Sequence, residues 1–199
     1  LMYFFVMEYV DGPTLKDVLK RGGALDEKRV VTIIRQVAEA LEHAHRVGII
    51  HRDIKPDNIM LDEFGQAKLC DLGLAKVTGD GGRTEVGLTL GTPNYISPEQ
   101  ARGERDIDGR SDLYSLGATM FHALTGQTPY QGNAGVVMTK HINEAVPDPR
   151  TLNPEVSPRA AYLVQRLLAK RREDRPQSAR ELIHELELAK RSLETMEQQ

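Results

Sequence analysis

The stretch His51-Arg52-Asp53-Ile54-Lys55-Pro56-Asp57-Asn58 places a carboxylate, an ammonium group and a carboxamide within six residues. Apolar residues flank it at 47–50 and at 59–61, and this pattern predicts a rigid loop between two short buried strands. The three groups suit phosphoryl transfer, which needs a carboxylate for the attacking hydroxyl, a cation for the phosphoryl group and an oxygen ligand for Mg²⁺. Taken alone, the cluster could also be a charged, solvated turn.

In residue type and spacing, this stretch resembles the catalytic loop H-R-D-x-x-x-x-N of the protein kinase family. The resemblance implies that Asp53 positions and deprotonates the acceptor hydroxyl and that Lys55 contacts the transferring phosphate of ATP. It also implies that Asn58 binds Mg²⁺ and that His51 has a structural role beneath the active site. ATP and Mg²⁺ are therefore the expected cofactors.

Three histidines near the loop, His43, His45 and His51, raise the alternative of a metal site. Histidines two positions apart, such as His43 and His45, do not share a helix face. No cysteine or carboxylate stands at ligand spacing from them. We therefore expect these side chains to pack within the fold rather than to bind a metal.

Composition places the chain among ordinary globular domains. Its 199 residues include 40% hydrophobic and 28% charged residues, enough for one domain with a sizeable core. The net charge of -3 gives no basic surface for nucleic acid, and the longest apolar run, residues 1–7, is too short to span a bilayer. With no signal peptide and a single cysteine, Cys70, the chain is expected in the cytoplasm, although a longer parent protein could be membrane-anchored.

The apolar run at residues 1–10 predicts a strand beginning at the first residue, as in the interior of a larger domain. The kinase resemblance implies that this run is the last strand of the N-terminal lobe followed by the hinge, with backbone contacts to adenine at Glu8 and Val10. Leu15 would pack beneath the adenine, and Met60 would form the floor of its pocket. The alternative for the first residues is a buried strand with no ligand.

Asp71-Leu72-Gly73 matches the D-F-G motif of the family, with Leu in place of Phe. The resemblance implies that Asp71 is the second Mg²⁺ ligand and that an activation segment runs over residues 71–99. This segment is rich in glycine and contains Thr84 and Thr89, which we expect to be phosphorylation sites in that order of preference. Arg52 would then bind the phosphothreonine, the alternative being an unmodified loop.

The end of the segment, Gly91-Thr92-Pro93-Asn94-Tyr95-Ile96-Ser97-Pro98-Glu99, carries S-P-E where the family has A-P-E. Thr92, together with Lys55, resembles the serine/threonine class. The resemblance further implies an ion pair between Glu99 and Arg175, and an anchor for the catalytic-loop backbone at Asp112. Residues 99–103 look particularly like the eukaryotic-like kinases of bacteria.

Apolar spacing and cap residues predict the remaining elements. They are a helix at residues 15–20, a long helix from Asp26 to Gly48, a hairpin of residues 59–62 and 67–69, a buried central helix from Ser111 to Gly126, helices near residues 136–144 and 157–170, and a last helix opened by a capping box at Ser178 and Glu181.

The predicted fold is mainly α (α+β), similar to the C-terminal lobe of a protein kinase with a few short strands. We expect residues 1–10 to be the last N-lobe strand and hinge, residues 11–188 the C-terminal lobe, and residues 189–199 a polar tail or linker. The sequence contains no glycine-rich loop and no V-A-I-K lysine, so the rest of the N-terminal lobe is expected to be missing. The expected function is transfer of the ATP γ-phosphoryl group to protein serine or threonine. The alternative is a non-catalytic binding module, and association into a dimer is a further expectation.

Cys70 precedes Asp71 and would border the ATP pocket. A reactive thiol and a buried, inert cysteine are both open, with the inert form favoured.

Overall fold

In the computed structural model, residues 8–71 and 93–197 are described, and they form a mainly helical fold with one small hairpin. The elements in chain order are α1 (Leu15–Gly22), α2 (Glu27–Arg46), β1 (Ile59–Leu61), β2 (Ala67–Leu69), α3 (Pro98–Ala101), α4 (Gly109–Thr125), α5 (Ala134–Asn143), α6 (Pro158–Leu167) and α7 (Ala179–Glu197). The predicted fold class is confirmed. Within the described residues, no helix combines the length and apolarity needed to cross a membrane.

Helix α4 lies at the centre of the fold because it is apolar around most of its circumference. Thirteen of its residues are buried, which fits a helix that other helices cover on several sides. Helix α2 packs against α4 and α7, and α6 packs against α4. At Gly117 an added Cβ would lie 2.5 Å from Leu167 Cβ, so glycine permits the close approach of α4 and α6.

The helix caps explain where most elements begin and end. Asp26 caps α2 by accepting a hydrogen bond from Arg29 N–H, and Gly126 ends α4 in the left-handed conformation (φ 73°). Ser157 caps α6 through Ala160 N–H. These ends agree with the sequence prediction.

The predicted start of α4 at Ser111 is wrong. The helix begins at Gly109, and its N-cap is Asp108, whose carboxylate accepts from Arg110 N–H at 2.9 Å. Ser111 lies inside the helix and donates its hydroxyl to Glu99 instead. Two good cap residues within one helical turn left the sequence ambiguous, and the tertiary contact of Ser111 decides the outcome.

Two other predicted boundaries also differ from the structure. Helix α7 runs to Glu197, into the stretch of residues 189–199 that was expected to be a polar tail or linker, because its apolar residues Leu186, Ala189 and Leu193 continue to pack on the core. The predicted buried strand at residues 47–50 is absent. Val47 and Ile49 are exposed there, and only the flank downstream of the loop forms a strand.

The β1–β2 hairpin connects the loop at residues 51–58 to α1. Asp62 shapes its turn by accepting hydrogen bonds from the N–H groups of Phe64 and Gln66. Leu61 N–H donates to Pro13 C=O at 2.9 Å. Gly12 is required beside this contact, since a Cβ there would lie 1.8 Å from Leu61 O. The hairpin is thus attached to the segment that precedes α1.

Candidate active site

Asp112, in the first turn of α4, holds the loop of residues 51–58 in place. Its side chain is buried, and its carboxylate accepts hydrogen bonds from His51 N–H (2.9 Å) and Arg52 N–H (2.7 Å). Arg52 has a positive φ of 66°, a conformation that is uncommon for a residue with a side chain. The carboxylate therefore provides bonds to backbone groups that no regular element could satisfy.

His45 helps to hold the Asp112 carboxylate in place, a role that the sequence analysis missed. Its Nε2 lies 2.8 Å from the Oδ2 atom of Asp112, and because an ionised carboxylate only accepts, the imidazole is the donor. An added Cβ at Gly109 would lie 2.7 Å from the His45 ring, so this glycine makes room for it. The available signal was the position of His45 in the last turn of α2, six residues before the loop.

Lys55 and Asn58, the predicted cation and carboxamide, both bind the predicted catalytic carboxylate of Asp53. Lys55 Nζ donates to Asp53 Oδ2 at 2.8 Å, and Asn58 Nδ2 donates to the same oxygen at 3.0 Å and to Asp53 C=O at 2.8 Å. The Asp53 side chain is 60% exposed, whereas Asn58 is buried. The carboxylate is thus held by two donors from within its own loop and still faces solvent.

His51 fixes the underside of this arrangement. Its Nε2 lies 2.9 Å from Cys70 C=O, an acceptor, so Nε2 must carry the proton. Its Nδ1 is then the acceptor for Asp53 N–H at 3.3 Å. The fully buried imidazole therefore links the loop that carries Asp53 to the end of β2.

Asn58 and Asp71 are neighbours through the backbone. Cys70 N–H donates to Asn58 C=O at 2.9 Å, and Asp71 follows directly, exposed and with a positive φ of 59°. Both donors of the Asn58 amide serve Asp53, which leaves its carboxamide oxygen as an acceptor. One carboxylate and one amide oxygen fit Mg²⁺, which in phosphoryl-transfer sites takes a few protein ligands and completes its shell with water and phosphate. No group of three or more His, Cys, Asp or Glu side chains among residues 8–71 and 93–197 could hold a metal ion by itself.

Residues 93–101 contact the loop at Arg52. Ser97 and Gln100 form a capping box at α3, and Gln100 Nε2 also donates to Arg52 C=O at 2.9 Å. Glu99 makes the predicted ion pair with Arg175, through NH1 at 2.7 Å and NH2 at 2.9 Å. Burial acts to raise the pKa of Glu99, but the hydrogen bonds and charge of Arg175, with a contribution from Ser111, hold it below its ordinary value.

The residues predicted to bind adenine form two groups: Leu15 and Met60 beside β1, and Glu8 and Val10 near the start of the described chain. Leu15 is fully buried, and Met60 is half-buried beside it, where Thr14 and Met60 form an isolated β-bridge. Glu8 is exposed and pairs with Lys68, while Val10 is half-buried. Leu15 and Met60 are thus brought together on the β1 side of the fold.

Several predicted residues lie outside the described part of the chain. They are residues 1–7 of the predicted first strand, the motif residues Leu72 and Gly73, and Thr84, Thr89 and Thr92. Arg52, the predicted partner of a phosphothreonine, is exposed. Its backbone, between Asp112 and Gln100, is fixed at both the N–H and the C=O.

Cys70 is half-buried, and its thiol lies 3.8 Å from Lys68 C=O. Burial is the main cause that raises the pKa of this thiol, and the charge of Asp71 adds to it. A raised pKa reduces the thiolate fraction at neutral pH, which is the condition of a poorly reactive cysteine.

Comparison with known proteins gives one consistent family. Residues 2–186 match the protein kinase domain. The chain is 41% identical over 187 residues to a probable serine/threonine-protein kinase of Streptomyces coelicolor, and the aligned region covers 92% of this chain and 28% of that protein. It is 40% identical over 182 residues to the serine/threonine-protein kinase PknB of Mycolicibacterium smegmatis (90% and 29% covered). It is 43% identical over 195 residues to the serine/threonine-protein kinase pkn3 of Myxococcus xanthus (92% and 36% covered). The chain therefore spans 28–36% of the length of these relatives.

Proposed function

The chain belongs to the protein kinase family, and on this premise we propose that it supplies the catalytic lobe of an enzyme that phosphorylates protein serine and threonine side chains with ATP. The observation that carries the proposal is the arrangement around Asp53, an exposed carboxylate held by Lys55 and Asn58 and supported from below by His51. The names of the bacterial relatives support the serine/threonine class.

Each group has a proposed role in one balanced step. The acceptor hydroxyl binds at Asp53, which takes its proton as the oxygen forms a bond to the γ-phosphorus of ATP. The bond from that phosphorus to the bridging oxygen breaks, and ADP leaves. Lys55, already 2.8 Å from Asp53, is close enough to neutralise charge on the transferring phosphoryl group. Asn58 and Asp71 would hold Mg²⁺, which when bound neutralises phosphate charge.

The remaining roles are also proposals. Leu15 and Met60 would contact adenine, with backbone contacts at Glu8 and Val10. Thr84 and Thr89 would be phosphorylated and bind Arg52, and Thr92 would support the catalytic loop. We expect the domain to work in the cytoplasm, where ATP and protein substrates are available, and a dimer would be detected by light scattering.

The test measures transfer of labelled γ-phosphate from MgATP to serine, threonine and tyrosine peptides by the complete gene product that contains this chain. Asp53→Asn and Asp71→Asn are each expected to lower kcat by about 100-fold or more, since each removes a group used in the transition state. Asp26→Asn is the matched control, because it makes the same chemical change at an N-cap where asparagine serves equally well.

Three outcomes separate the proposals. Full activity of Asp53→Asn contradicts the assignment of the base, and preference for tyrosine peptides contradicts the class. Binding of ATP with no transfer by the wild-type protein favours the non-catalytic binding module. A polypeptide of residues 1–199 alone is expected to be near background, because its sequence lacks the glycine-rich loop and lysine that hold the ATP phosphates.

A further inference from the structure

A buried chain of polar groups connects α4 and α5 to the segment beside the catalytic loop. His141 of α5 is fully buried. Its Nδ1 lies 2.9 Å from the Tyr114 hydroxyl, and its Nε2 lies 3.1 Å from Asn94 C=O. Lys170 Nζ reaches the same Tyr114 hydroxyl at 3.4 Å. Four residues from four separate segments thus form one hydrogen-bonded line that ends on the backbone of Asn94.

The direction of every bond in this line is fixed by its two ends. Asn94 C=O can only accept, so His141 Nε2 carries the proton and donates to it. His141 Nδ1 is then an acceptor, and the Tyr114 hydroxyl must donate to it. The Tyr114 oxygen remains free to accept from Lys170, which has only donors. The reverse tautomer would place two acceptors face to face at Asn94, so a single arrangement satisfies the whole line.

The surroundings of His141 favour this neutral form. The Tyr130 ring stands edge-on to it at 4.9 Å, and Tyr130 O–H donates to Glu144 C=O at 3.1 Å and accepts from Lys170 at 2.8 Å. Burial and the charge of Lys170 lower the pKa of His141 to about 4, and the hydrogen bond to Asn94 opposes that shift.

Charges beyond this shell also bear on the ring. Burial is the main cause that lowers the pKa of Lys170, and the charges of Arg175 and Arg102 lower it further, whereas the charge of Glu144 raises it. The Arg175 guanidinium lies over the Tyr114 ring, 4.8 Å from its centre. Around His141, the cations Lys170, Arg175 and Arg102 outnumber the carboxylate of Glu144, so protonation of the imidazole is disfavoured.

Asn94 belongs to a segment that contacts both the catalytic loop and helix α4. Gln100, farther along the segment, donates to Arg52 C=O. Next to Asn94, the Tyr95 hydroxyl lies 2.7 Å from His122 Nδ1. Residues 93–101 therefore contact the catalytic loop at Arg52, the residue before Asp53.

We infer that His141 is a positioning residue for the protein substrate, because its hydrogen bond to the Asn94 carbonyl fixes the conformation of residues 93–97, in the segment that contacts the catalytic loop at the residue before Asp53. The inference rests on the proposed kinase function. None of the described contacts joins His141 to Asp53, Lys55 or Asn58. Its loss should therefore alter substrate binding more than the chemical step.

The first test compares His141→Asn with His141→Gln in the 199-residue chain. The glutamine amide nitrogen can reach the position of Nε2 and donate to Asn94, whereas asparagine reaches only the position of Nδ1. Losing one such bond should speed amide hydrogen exchange of residues 94–97 by about threefold to tenfold in His141→Asn, with little change in His141→Gln. Helix α4 serves as the internal reference for global stability, and His184→Asn, at an exposed position of α7, is the matched control.

The second test measures kinetics in the complete gene product. In His141→Asn, the KM for a serine or threonine peptide should rise by about threefold to tenfold while the KM for ATP and kcat stay within about twofold. His141→Gln should restore the wild-type KM. A merely structural role would instead lower the amount of active enzyme, and therefore kcat, with both KM values unchanged.

The two tests separate this inference from the kinase proposal. If the wild-type gene product transfers no phosphoryl group to protein, the kinase proposal fails and the substrate part of the inference fails with it, whereas the exchange measurement still decides whether His141 holds residues 93–97. If transfer occurs but His141→Asn leaves the peptide KM and the exchange of residues 94–97 unchanged, the inference is wrong and the kinase proposal stands. Equal effects of the asparagine and glutamine variants would also overturn it.

Discussion

Replacement of Arg175 by alanine should cost about 3–5 kcal/mol of unfolding free energy, because it leaves a buried carboxylate without its partner. The Arg175 side chain has no exposed surface, and that of Glu99 is 1% exposed. All five N–H donors of Arg175 are used: two bind Glu99, and three bind the backbone carbonyls of Arg110, Ala169 and Lys170 at 2.8–3.1 Å. The substitution therefore removes a hydrogen-bond donor from three carbonyl groups as well as two from the carboxylate.

One neighbouring cation moderates this loss. Arg172 Nε lies 3.9 Å from Glu99 Oε1, and its side chain is 15% exposed, so some compensation for the stranded charge remains. We therefore expect a loss of about 3 kcal/mol, the lower end of the range for a broken buried pair. The pKa of Glu99 is lowered in the fold, so the pair contributes stability above the unfolded pKa near 4.5 and loses it as the pH falls. The difference between variant and wild type should narrow in acid.

The assay is urea unfolding of the 199-residue chain followed by far-ultraviolet circular dichroism at pH 7 and pH 4. Arg180→Ala is the control, since Arg180 and Glu42 form an ion pair of 2.7 Å in which the arginine is 75% exposed. That variant should lose no more than about 0.5–1 kcal/mol. Equal losses for Arg175→Ala and Arg180→Ala would refute the reasoning that burial, rather than contact distance, sets the cost.

Two further predictions concern other buried groups. Because the pKa of His141 is about 4 in the fold and about 6.5 when exposed, its neutral form contributes stability above pH 6.5 that is lost as the pH falls toward 4. Lowering the pH from 7 to 5 should therefore destabilise the wild type by about 2 kcal/mol more than His141→Gln in urea titrations, and parallel pH profiles would contradict this. Gly109→Ala would bring a Cβ to 2.7 Å from the His45 ring and should cost about 1–3 kcal/mol. In a His45→Ala background the same change should be neutral or stabilising, and an unchanged cost there would show that the His45 ring is not the obstacle.

Local signals in the sequence identified most of the fold. The caps at Asp26, Gly126 and Ser157 are short-range arrangements in which one side chain, or one glycine, satisfies nearby backbone groups. Such contacts depend on a few neighbouring residues, which is why a pattern predicts them. The start of α4 was harder, because Asp108 and Ser111 are both good caps and only the packing of Ser111 against Glu99 distinguishes them.

In the candidate site, too, contacts between neighbouring residues could be predicted from the local sequence, whereas contacts between distant segments could not. The bonds of Lys55 and Asn58 to Asp53 lie within the one loop that the motif defines, so their residues could be named from the sequence. The pair of Glu99 and Arg175 is separated by 76 residues and was accessible only through the family resemblance. The contacts of His45 with Asp112 and of His141 with Asn94 left no comparable pattern, since each joins distant segments through a single bond.

These long-range bonds share a physical task that explains their location. The helices α2, α4 and α6 satisfy their own backbone groups and are joined by apolar packing, so they need no buried charge. The loops at residues 51–58 and 93–97 cannot do this, and a buried polar side chain supplies a partner in each: Asp112 for residues 51 and 52, and His141 for residue 94. A substitution at one of these side chains therefore releases a loop while the helices stay packed. Changes at Asp112 or His141 should accordingly impair substrate handling at temperatures where the helical core remains folded.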